Sequence, residues 1–506
     1  MLYLRHSVSV YSPTMGKVDL SQYSIVWACQ NDMFFGPWFK SRPSWRPWLV
    51  FLKHLFGLPC SPRELAFIKE RTGRIPLKRH GYVEAWLVVG RRGGKSFTLA
   101  VIAVYLTFFV DWKPFLAPGE LATIIVIAQD RQQARVILRY VKGLIQAIKF
   151  FRRERKRITQ WVLEFPRQRV AIEIFTASFR ATRGYTVVAA LCDEVAFWRS
   201  DDTSNPDEEI INAIRPGMAT VSKAMLLAAS SPYAKRGVLY KHYADYFSKD
   251  DPDVLIWHGP TESMNPSISQ KYLARQYEKD PIKAAAEYGA QFRGDIEDFV
   301  PEEVVDALIE RGVFRKARDS RITYRAFVDP SGGSQDSFTL AIGHVEGEDR
   351  VLDVLEEWRP PFKLKAVVKE VCKLCKDYGI SRVKGDNYAG DWPKEEFKSH
   401  GITYEKCEKR KTDLYRDALP LLHTGNALLL DNRKMKVQIC SLERRLSRGG
   451  RFTIDHPPGG HDDLANAALG LAATLPARLV KITESDYIVG SALKGSETPM
   501  SNIGTM

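Results

Sequence analysis

The feature that most constrains the fold is a glycine-rich turn between two apolar runs. Residues 90–96, with the sequence GRRGGKS, follow the apolar run 85–89 and precede a longer apolar run that begins at Phe97. This order predicts a buried strand, a tight turn and a helix, because glycines let the backbone turn sharply and approach a ligand closely. The N-terminus of such a helix presents unpaired N–H groups and the positive end of its dipole, which favour bound phosphate.

The residue types in this turn are those of a phosphate-binding loop for ATP. Lys95 is placed to reach the β- and γ-phosphates, and the hydroxyl of Ser96 to bind Mg²⁺. The motif is one residue shorter than the usual G-x-x-x-x-G-K-[ST], and the alternative is a surface turn that opens a helix. The predicted ATP-binding residues of the loop are Gly90, Arg91, Arg92, Gly93, Gly94, Lys95 and Ser96.

A second apolar run ends in two acids. Residues 187–192 predict a buried strand, which Asp193 and Glu194 follow directly. The carboxyl ends of parallel strands are where ligands bind in open α/β sheets. We predict that Asp193 joins Ser96 in binding ATP-associated Mg²⁺ and that Glu194 polarises the attacking water. The alternative is a pair of solvated acids at the end of a strand.

Hydroxyls and arginines near these motifs could complete the ATPase site. Ser230 and Ser231 end another apolar run and could couple hydrolysis to motion, although a plain exit from a strand fits the same sequence. Phosphoryl transfer also needs a cation against the developing charge. Arg91 and Arg92 could supply it from within the loop, and Arg183, shortly before the acidic strand, from a neighbouring subunit.

A second α/β unit begins near residue 321. Three successive strands, a helix, a strand that ends in an acid and a final helix that begins with acids match the order of a ribonuclease H-like fold. The predicted strands are residues 324–329, 338–345, 350–358 and 382–386, and the predicted helices are residues 363–378 and 462–475.

The acids of this second unit predict a nuclease that uses two metal ions. Asp329 and Asp386 end strands, and Asp462 and Asp463 open the final helix. Oxygen ligands suit Mg²⁺ or Mn²⁺, and two ions ~3.5–4 Å apart can activate water and stabilise the leaving oxygen of a phosphodiester. Each acid alone could instead cap a turn or helix. The sequence leaves open which of the adjacent pair is the principal ligand; we favour Asp463, with Asp462 assisting or capping.

Composition narrows the class of partner. The formal net charge is +14 and the pI is about 9.3, which favours an acidic polymer such as nucleic acid. The seven cysteines are scattered, as is typical of a reducing compartment. No secretory signal is visible, and the longest uncharged run, residues 96–110, is shorter than the ~20 residues that span a bilayer. We therefore expect a soluble protein without a membrane segment.

The pattern predicts an α/β protein of several segments. The first apolar alternation favours a P-loop ATPase of the additional-strand, catalytic-glutamate (ASCE) type with a parallel sheet, and the second favours the nuclease domain. The predicted segments are 1–60 of unclear role, 61–260 as the ATPase domain, 261–318 as a linker or small subdomain, 319–476 as the nuclease domain and 477–506 as a C-terminal tail.

The two constellations, in this order, resemble the large terminase subunit of tailed double-stranded DNA bacteriophages. The resemblance runs from about residue 60 to residue 475. The residues that carry it are 90–96, Arg183, Gly184, Asp193, Glu194, 229–231, 263–266, Glu287, Asp329, Pro330, 351–358, Asp386 and 461–464. The glutamine motif expected to contact adenine is not visible before the loop, so the adenine site is left open.

The resemblance implies a motor that packages viral DNA. Such a protein would bind concatemeric double-stranded DNA with a small terminase subunit, cut it, dock on the portal of a procapsid in the host cytoplasm and move DNA inward with ATP. Packaging motors of this family are commonly rings of about five subunits, consistent with an arginine that acts between neighbours. By this analogy Arg183 is the candidate in trans and Arg91 the candidate in cis.

Three rival interpretations remain. The first is a DNA translocase or helicase whose second domain binds DNA without cleaving it, against which the acids from Asp329 onward argue. The second is a ribonuclease H-like transposase or integrase with a fused ATPase, which strand-transfer activity would support. The third is a structural capsid or portal adaptor, which two catalytic constellations disfavour.

Overall fold

The chain forms two compact units. The computed structural model describes residues 19–39, 43–75, 81–176, 184–198, 206–331, 336–385, 392–446 and 452–476. The N-terminal unit comprises residues 1–297 with 444–452, and the C-terminal unit comprises residues 298–443 with 453–506. The segment boundaries predicted from the sequence stay predictions.

The N-terminal unit is built on an eight-stranded sheet. Its strands are β1 (Glu84–Val89), β2 (Ala122–Ala128), β3 (Arg157–Ile158), β4 (Val162–Phe165), β5 (Val170–Thr176), β6 (Thr186–Asp193), β7 (Met225–Ser230) and β8 (Val254–Gly259). They lie in the order β3-β4-β5-β2-β6-β7-β1-β8. The six strands from β5 to β8 run parallel, and β3 and β4 form an antiparallel edge. Parallel strands are covered on both faces, which is why they are continuous apolar runs.

Helices cover this sheet and extend it toward the N-terminus. They are α1 (Ile25–Gln30), α2 (Gly36–Phe39), α3 (Arg46–Leu55), α4 (Pro62–Thr72), α5 (Lys95–Phe108), α6 (Arg131–Ala147), α7 (Lys149–Arg152), α8 (Pro206–Met218), α9 (Gly237–Tyr246), α10 (Thr261–Met264), α11 (Gln270–Lys279) and α12 (Pro281–Glu287), with 3-10 turns at Pro43–Trp45, Lys113–Phe115 and Val195–Phe197. Trp48, Phe51 and Leu55 of α3 are fully buried in the core that also contains α5. The described part of residues 1–60 is therefore integral to this unit.

The topology confirms the predicted fold class of this unit. The predicted strands 85–89 and 187–192 are present as β1 and β6, with ends that differ by a residue at most. β7 lies between β1, which leads into the glycine turn, and β6, which ends in Asp193. That inserted strand defines the additional-strand class and places the carboxyl ends of β1, β6 and β7 side by side.

The C-terminal unit is built on a seven-stranded mixed sheet. The strands from the end of the N-terminal unit onward are β9 (Ile296–Asp298), β10 (Ile309–Glu310), β11 (Arg325–Asp329), β12 (Phe338–Glu346), β13 (Asp349–Trp358), β14 (Arg382–Gly385), β15 (Thr403–Lys406), β16 (Ala427–Leu430), β17 (Glu443–Leu446) and β18 (Phe452–Asp455). The helices are α13 (Glu302–Leu308), α14 (Leu364–Asp377), α15 (Trp392–Ser399), α16 (Lys411–Thr424), α17 (Arg433–Ser441) and α18 (Asp463–Thr474).

The order of this sheet is β10-β16-β13-β12-β11-β14-β15. β12 runs antiparallel to both β11 and β13, whereas β14 and β15 continue parallel to β11. This arrangement is the ribonuclease H-like sheet, so the predicted fold class of the second unit is also confirmed. The final helix, α18, packs closely on the sheet: a Cβ on Gly470 would lie 2.6 Å from the ring of Phe327.

The helices of the described residues fall short of what a membrane span requires. None of those helices combines the length and the apolarity needed to cross a bilayer.

Candidate functional site

The glycine turn of the N-terminal unit is held in a conformation that its sequence makes possible. Gly94 has φ +104°, and Arg92 also lies in the left-handed region, with φ +65°. A Cβ on Gly90 would lie 2.2 Å from the Thr261 hydroxyl oxygen, and one on Gly93 would lie 2.6 Å from Val89. The three glycines therefore allow a turn that lies tightly against its neighbours and leads directly into α5.

Lys95 lies between this turn and the acids that end β6. Its side chain is only 5% exposed. The ammonium donates a hydrogen bond to the Val89 carbonyl oxygen at 3.0 Å and lies 3.3 Å from Glu194 Oε1. The structure thus brings together the lysine and one acid that the sequence assigned to the same ATP site.

Ser96 and Asp193 form the second link between the turn and β6. Ser96 Oγ donates a hydrogen bond to Asp193 Oδ2 at 2.7 Å. Within the described part of the chain, the buried Asp193 Oδ1 has no hydrogen-bond partner. Burial, and then the charge of Glu194, raise the pKa of Asp193 to about 6, although Lys95 opposes this shift. A buried oxygen without a partner beside a serine hydroxyl fits a Mg²⁺ ion, which prefers such ligands.

Glu194 is oriented by the strand next to it. Its backbone is left-handed, with φ 51° and ψ 43°, a conformation that costs a non-glycine residue ~1–3 kcal/mol. Glu194 Oε2 accepts hydrogen bonds from Ser230 Oγ at 3.1 Å and from Ser231 N at 3.2 Å. The two serines at the end of β7 therefore lie on the side chain assigned to water activation.

The predicted arginines have different surroundings. Arg91 is 62% exposed, and its guanidinium lies 3.4 Å from Glu287 Oε2. Arg91 lines a cavity of about 390 Å³ with Glu287 and Tyr288, whereas Arg92 lines both this cavity and a larger one that contains Lys95. Arg183 lies outside the described residues.

Sequence reasoning missed the residues that brace the turn from other parts of the chain. Thr261 Oγ1 donates to the Arg91 carbonyl oxygen at 2.8 Å, and Asn265 Nδ2 donates to the Arg92 carbonyl oxygen at 3.0 Å. Trp48 Nε1 donates to the Gly93 carbonyl oxygen at 2.7 Å. Asn265 was part of the family resemblance, but no local pattern in the sequence indicates that Trp48 reaches the turn.

In the C-terminal unit, a chain of contacts joins the end of β11 to the start of α18. Asp329 lies opposite Thr339 in the β11–β12 register. Thr339 Oγ1 donates to the Asp463 carbonyl oxygen at 2.8 Å, and Asn466 Nδ2 donates to Asp329 Oδ2 at 2.8 Å. The structure therefore brings Asp329 and Asp463 to the same end of the sheet.

Asp462 is engaged by other side chains. Lys411 Nζ lies 2.6 Å from Asp462 Oδ2, and Tyr415 OH donates to the same oxygen at 2.7 Å. Burial would lower the pKa of Lys411, but the charges of Asp462 and Asp455 raise it. The side chain of Asp462 is 6% exposed, so this carboxylate belongs to a buried ion pair.

Asp463, directly after Asp462, has a raised pKa. Burial, and then the charge of Asp462, raise the pKa of Asp463 to about 6. His461 is 51% exposed and lies 3.7 Å from Asp336.

The remaining predicted ligand, Asp386, lies outside the described residues. The strand before it, β14, pairs Gly385 with Val328 of β11.

Side chains around the start of α18 offer ligand atoms for a divalent cation. Asp329 and Asp463 offer carboxylate oxygens, which suit Mg²⁺ or Mn²⁺. Among the described residues, Asp455, His456 and Asp462 also have ligand atoms within 4.8 Å of one another. Lys411 contacts both of these aspartates, at 3.1 Å and 2.6 Å, so an ammonium group supplies the positive charge in that cluster.

Comparisons with known proteins agree with the class of the first unit. Residues 70–290 match a family model described as "Uncharacterized protein MJ0330, N-terminal P-loop domain". With the parallel sheet and the turn geometry, this makes the N-terminal unit a P-loop domain. None of the curated proteins matches the chain.

Comparison with solved structures returned large terminases, the family named from the sequence. The HK97 bacteriophage large terminase is 15% identical, with a TM-score of 0.35 over 77% of this chain and 91% of that one. The large terminase of a thermophilic bacteriophage, in complex with ATP-gamma-S, is 13% identical, with a TM-score of 0.34 over 85% and 96%. The large terminase nuclease of thermophilic phage G20c with bound magnesium is 20% identical, with a TM-score of 0.30 over 34% and 94%.

Proposed function

We propose that this chain is the large terminase subunit of a tailed double-stranded DNA bacteriophage. It hydrolyses ATP to move double-stranded DNA into a procapsid and cuts concatemeric DNA with a metal-dependent nuclease. The observation that carries the proposal is the presence of two sites in one chain. In the P-loop site, Lys95 contacts Glu194 and Ser96 contacts Asp193. In the ribonuclease H-like unit, Asp329 and Asp463 lie at one end of the sheet.

In the ATPase site, each side chain has a distinct task. Ser96 and Asp193 would hold Mg²⁺, which neutralises charge on the β- and γ-phosphates when bound. Lys95 would bind the phosphates together with N–H groups at the start of α5. The N–H groups of Gly90, Arg91 and Gly93 already donate to backbone carbonyls. Glu194 orients the attacking water and accepts its proton, and Ser230 and Ser231 hold that carboxylate in position.

In the nuclease site, Asp329, Asp386 and Asp463 would hold two Mg²⁺ or Mn²⁺ ions, with Asp462 assisting. Those ions supply activation of a water and stabilisation of the leaving oxygen of the phosphodiester. Lys411 and Tyr415 keep Asp462 in a fixed position directly before Asp463. We assign the direct ligand role to Asp463 and an orienting role to Asp462.

The proposed partners follow from the motor assignment. The substrate is double-stranded DNA, favoured by the formal net charge of +14. The motor acts as a ring of about five subunits on the portal of a procapsid in the host cytoplasm, with the small terminase subunit at initiation. Arg183 is the candidate for an arginine that a neighbouring subunit supplies to the ATPase site, and Arg91 is the candidate within the subunit. Arg91 contacts Glu287 in the structure, so this contact must break before Arg91 can reach the phosphates.

A defined packaging reaction tests this proposal. Purified protein, procapsids that carry portal, linear double-stranded DNA, ATP and Mg²⁺ are mixed, and DNA protected from added DNase is measured. We expect protection that depends on ATP and is absent with Glu194→Gln. DNA that stays fully accessible, under conditions where the protein hydrolyses ATP and binds procapsids, would contradict the motor assignment. Strand transfer in place of simple cleavage would favour a transposase.

A further inference from the structure

The larger cavity of the N-terminal unit extends well beyond the phosphate-binding turn. Its volume is about 1240 Å³, and it is lined by Gly94, Lys95 and Ser96 at one end and by α6 at the other. Ligand cavities commonly measure ~300–1,000 Å³, so this space exceeds what the phosphates of a nucleotide need. The part away from Lys95 is available to the rest of a nucleotide.

Aromatic rings form a continuous wall along this part of the cavity. The ring of Trp45 lies 4.8 Å from that of Phe97, and the ring of Phe97 lies 5.5 Å from that of Tyr140, measured between centroids. Trp45 and Phe97 are half-buried and Tyr140 is exposed, so each ring retains surface on the cavity. Planar aromatic surfaces of this kind bind the faces of nucleobases, which stack on them independently of base identity.

The first ring of this wall adjoins the phosphate-binding turn. A Cβ on Gly94 would lie 3.3 Å from the indole ring of Trp45 and 2.8 Å from the indole nitrogen of Trp48. Phe97 is one residue past Ser96, in the first turn of α5. A nucleotide whose phosphates lie on residues 94–96 would therefore extend directly along these rings.

The helix that carries Tyr140 leaves room for such a ligand. Gly143 of α6 lines the cavity, and a Cβ placed on it would meet no atom within 4 Å. Arg139, which also lines the cavity, is exposed one residue before Tyr140 on the same helix. The cavity is thus lined by aromatic rings and by the cation of Arg139.

We propose that the base of the nucleotide lies in this part of the cavity, stacked on the ring of Trp45 and contacting Phe97 and Tyr140. The rings of Trp45 and Phe97 are inclined by 48° and those of Phe97 and Tyr140 by 89°, so the base can stack on the face of one ring only. The inference rests on the nucleotide site proposed above and adds the residues that bind the nucleoside, for which the sequence offers no glutamine motif. It also assigns a role to the N-terminal segment: Trp45 contacts the base, and Trp48, through its hydrogen bond to Gly93, positions the turn.

The test separates contacts with the base from contacts with the phosphates. Dissociation constants of ADP and of inorganic pyrophosphate, each with Mg²⁺, are measured by calorimetry on the full chain. Because pyrophosphate has no base, Trp45→Leu should weaken ADP binding about 10-fold and leave pyrophosphate binding unchanged. Trp45→Phe, which keeps an aromatic ring, should recover most of the loss.

Two further variants keep the test decisive. Tyr140 lies on the surface, with 42% of its area exposed, so Tyr140→Ala should fold normally and weaken ADP binding by a few-fold. Trp161→Leu removes a half-buried tryptophan that does not line the cavity, and both ligands should bind as before.

The outcomes are distinguishable. Equal ADP binding by the parent chain, Trp45→Leu and Tyr140→Ala would overturn the base site and leave the phosphate site standing. A parallel loss of ADP and pyrophosphate binding in Trp45→Leu would show that Trp45 only positions the turn, which also overturns it. A parent chain that binds neither ligand would overturn the nucleotide site itself.

Discussion

Each unit contains a pair of adjacent acids of which one contacts a lysine, but the lysine has a different role in each unit. Each has two adjacent acids at the end or start of an apolar element, Asp193–Glu194 and Asp462–Asp463. In each pair a lysine holds one acid, and burial raises the pKa of the other to about 6. In both pairs the acid with the raised pKa is the one that we assign to bind a metal. A cation bound there would stabilise the ionised form of that acid.

The lysines show where the two sites differ. Lys95 lies 3.3 Å from Glu194, a side chain that is 30% exposed, so a phosphate can compete for the ammonium. Lys411 lies 2.6 Å from Asp462, which is 6% exposed and also accepts a hydrogen bond from Tyr415. A lysine that ligand can reach is suited to binding it, whereas one fixed in a buried pair is suited to holding geometry.

The largest expected effect is on ATP hydrolysis. Lys95→Ala removes the cation that meets the phosphates and should lower the rate of DNA-stimulated ATP hydrolysis by at least about 10²-fold. Phosphate release on the purified full chain measures this rate, and metal-dependent cleavage of plasmid DNA serves as the control for folding. ATP turnover within a few-fold of the parent chain would remove Lys95 from the site.

Replacement of Lys411 should lower the stability of the C-terminal unit. Lys411→Met leaves Asp462 buried without its ammonium, and we expect the free energy of unfolding of the C-terminal unit to fall by ~3 kcal/mol. The matched control is Lys409→Met: Lys409 forms an exposed ion pair with Asp417 at 2.7 Å and should contribute less than ~1 kcal/mol. Equal urea midpoints for the two variants would show that the buried pair is no more important than an exposed one.

The raised pKa of Asp463 predicts how stability depends on pH. Its folded value is about 6 and its ordinary value is 3.8, so the folded state holds this proton more tightly than the unfolded state. Without metal, stability should therefore fall as the pH rises from about 4 to about 6. Asp463→Asn should reduce that fall in urea unfolding series, and an unchanged pH profile would argue against a buried, metal-free carboxyl at this position.

The smallest expected effect concerns the serines on Glu194. Ser230→Ala removes one hydrogen bond to the carboxylate and leaves that from the backbone of Ser231. We expect kcat for ATP to fall by about 3- to 10-fold with little change in KM, since one neutral hydrogen bond contributes ~1 kcal/mol. A change in KM alone would indicate that Ser230 acts on nucleotide binding and not on the water-activating group.

The sequence was sufficient for the fold class of both units, although strands such as β15 and β16 were not predicted. The strands around Asp193 and Asp329 are continuous apolar runs that end in acids, so their type and their functional ends could be predicted together. The pairing of Lys95, Ser96, Asp193 and Glu194 likewise follows from the order of strands in a parallel sheet.

The contacts made by distant residues could not be predicted. Trp48 is 45 residues from Gly93, and Lys411 is 51 residues from Asp462. Neither contact follows from a local period in the sequence. Which adjacent acid is held by a lysine depends on packing. The sequence could therefore favour Asp463 as the principal ligand but could not indicate that Lys411 holds Asp462.

The central claim is that one chain has two separable catalytic sites. The most direct measurement is ATP hydrolysis and plasmid cleavage on the same preparations of Glu194→Gln and Asp329→Asn. We expect Glu194→Gln to lose ATP hydrolysis and retain Mg²⁺- or Mn²⁺-dependent cleavage, and Asp329→Asn to show the reverse. Cleavage at the parental rate by Asp329→Asn, or ATP hydrolysis at the parental rate by Glu194→Gln, would contradict the account.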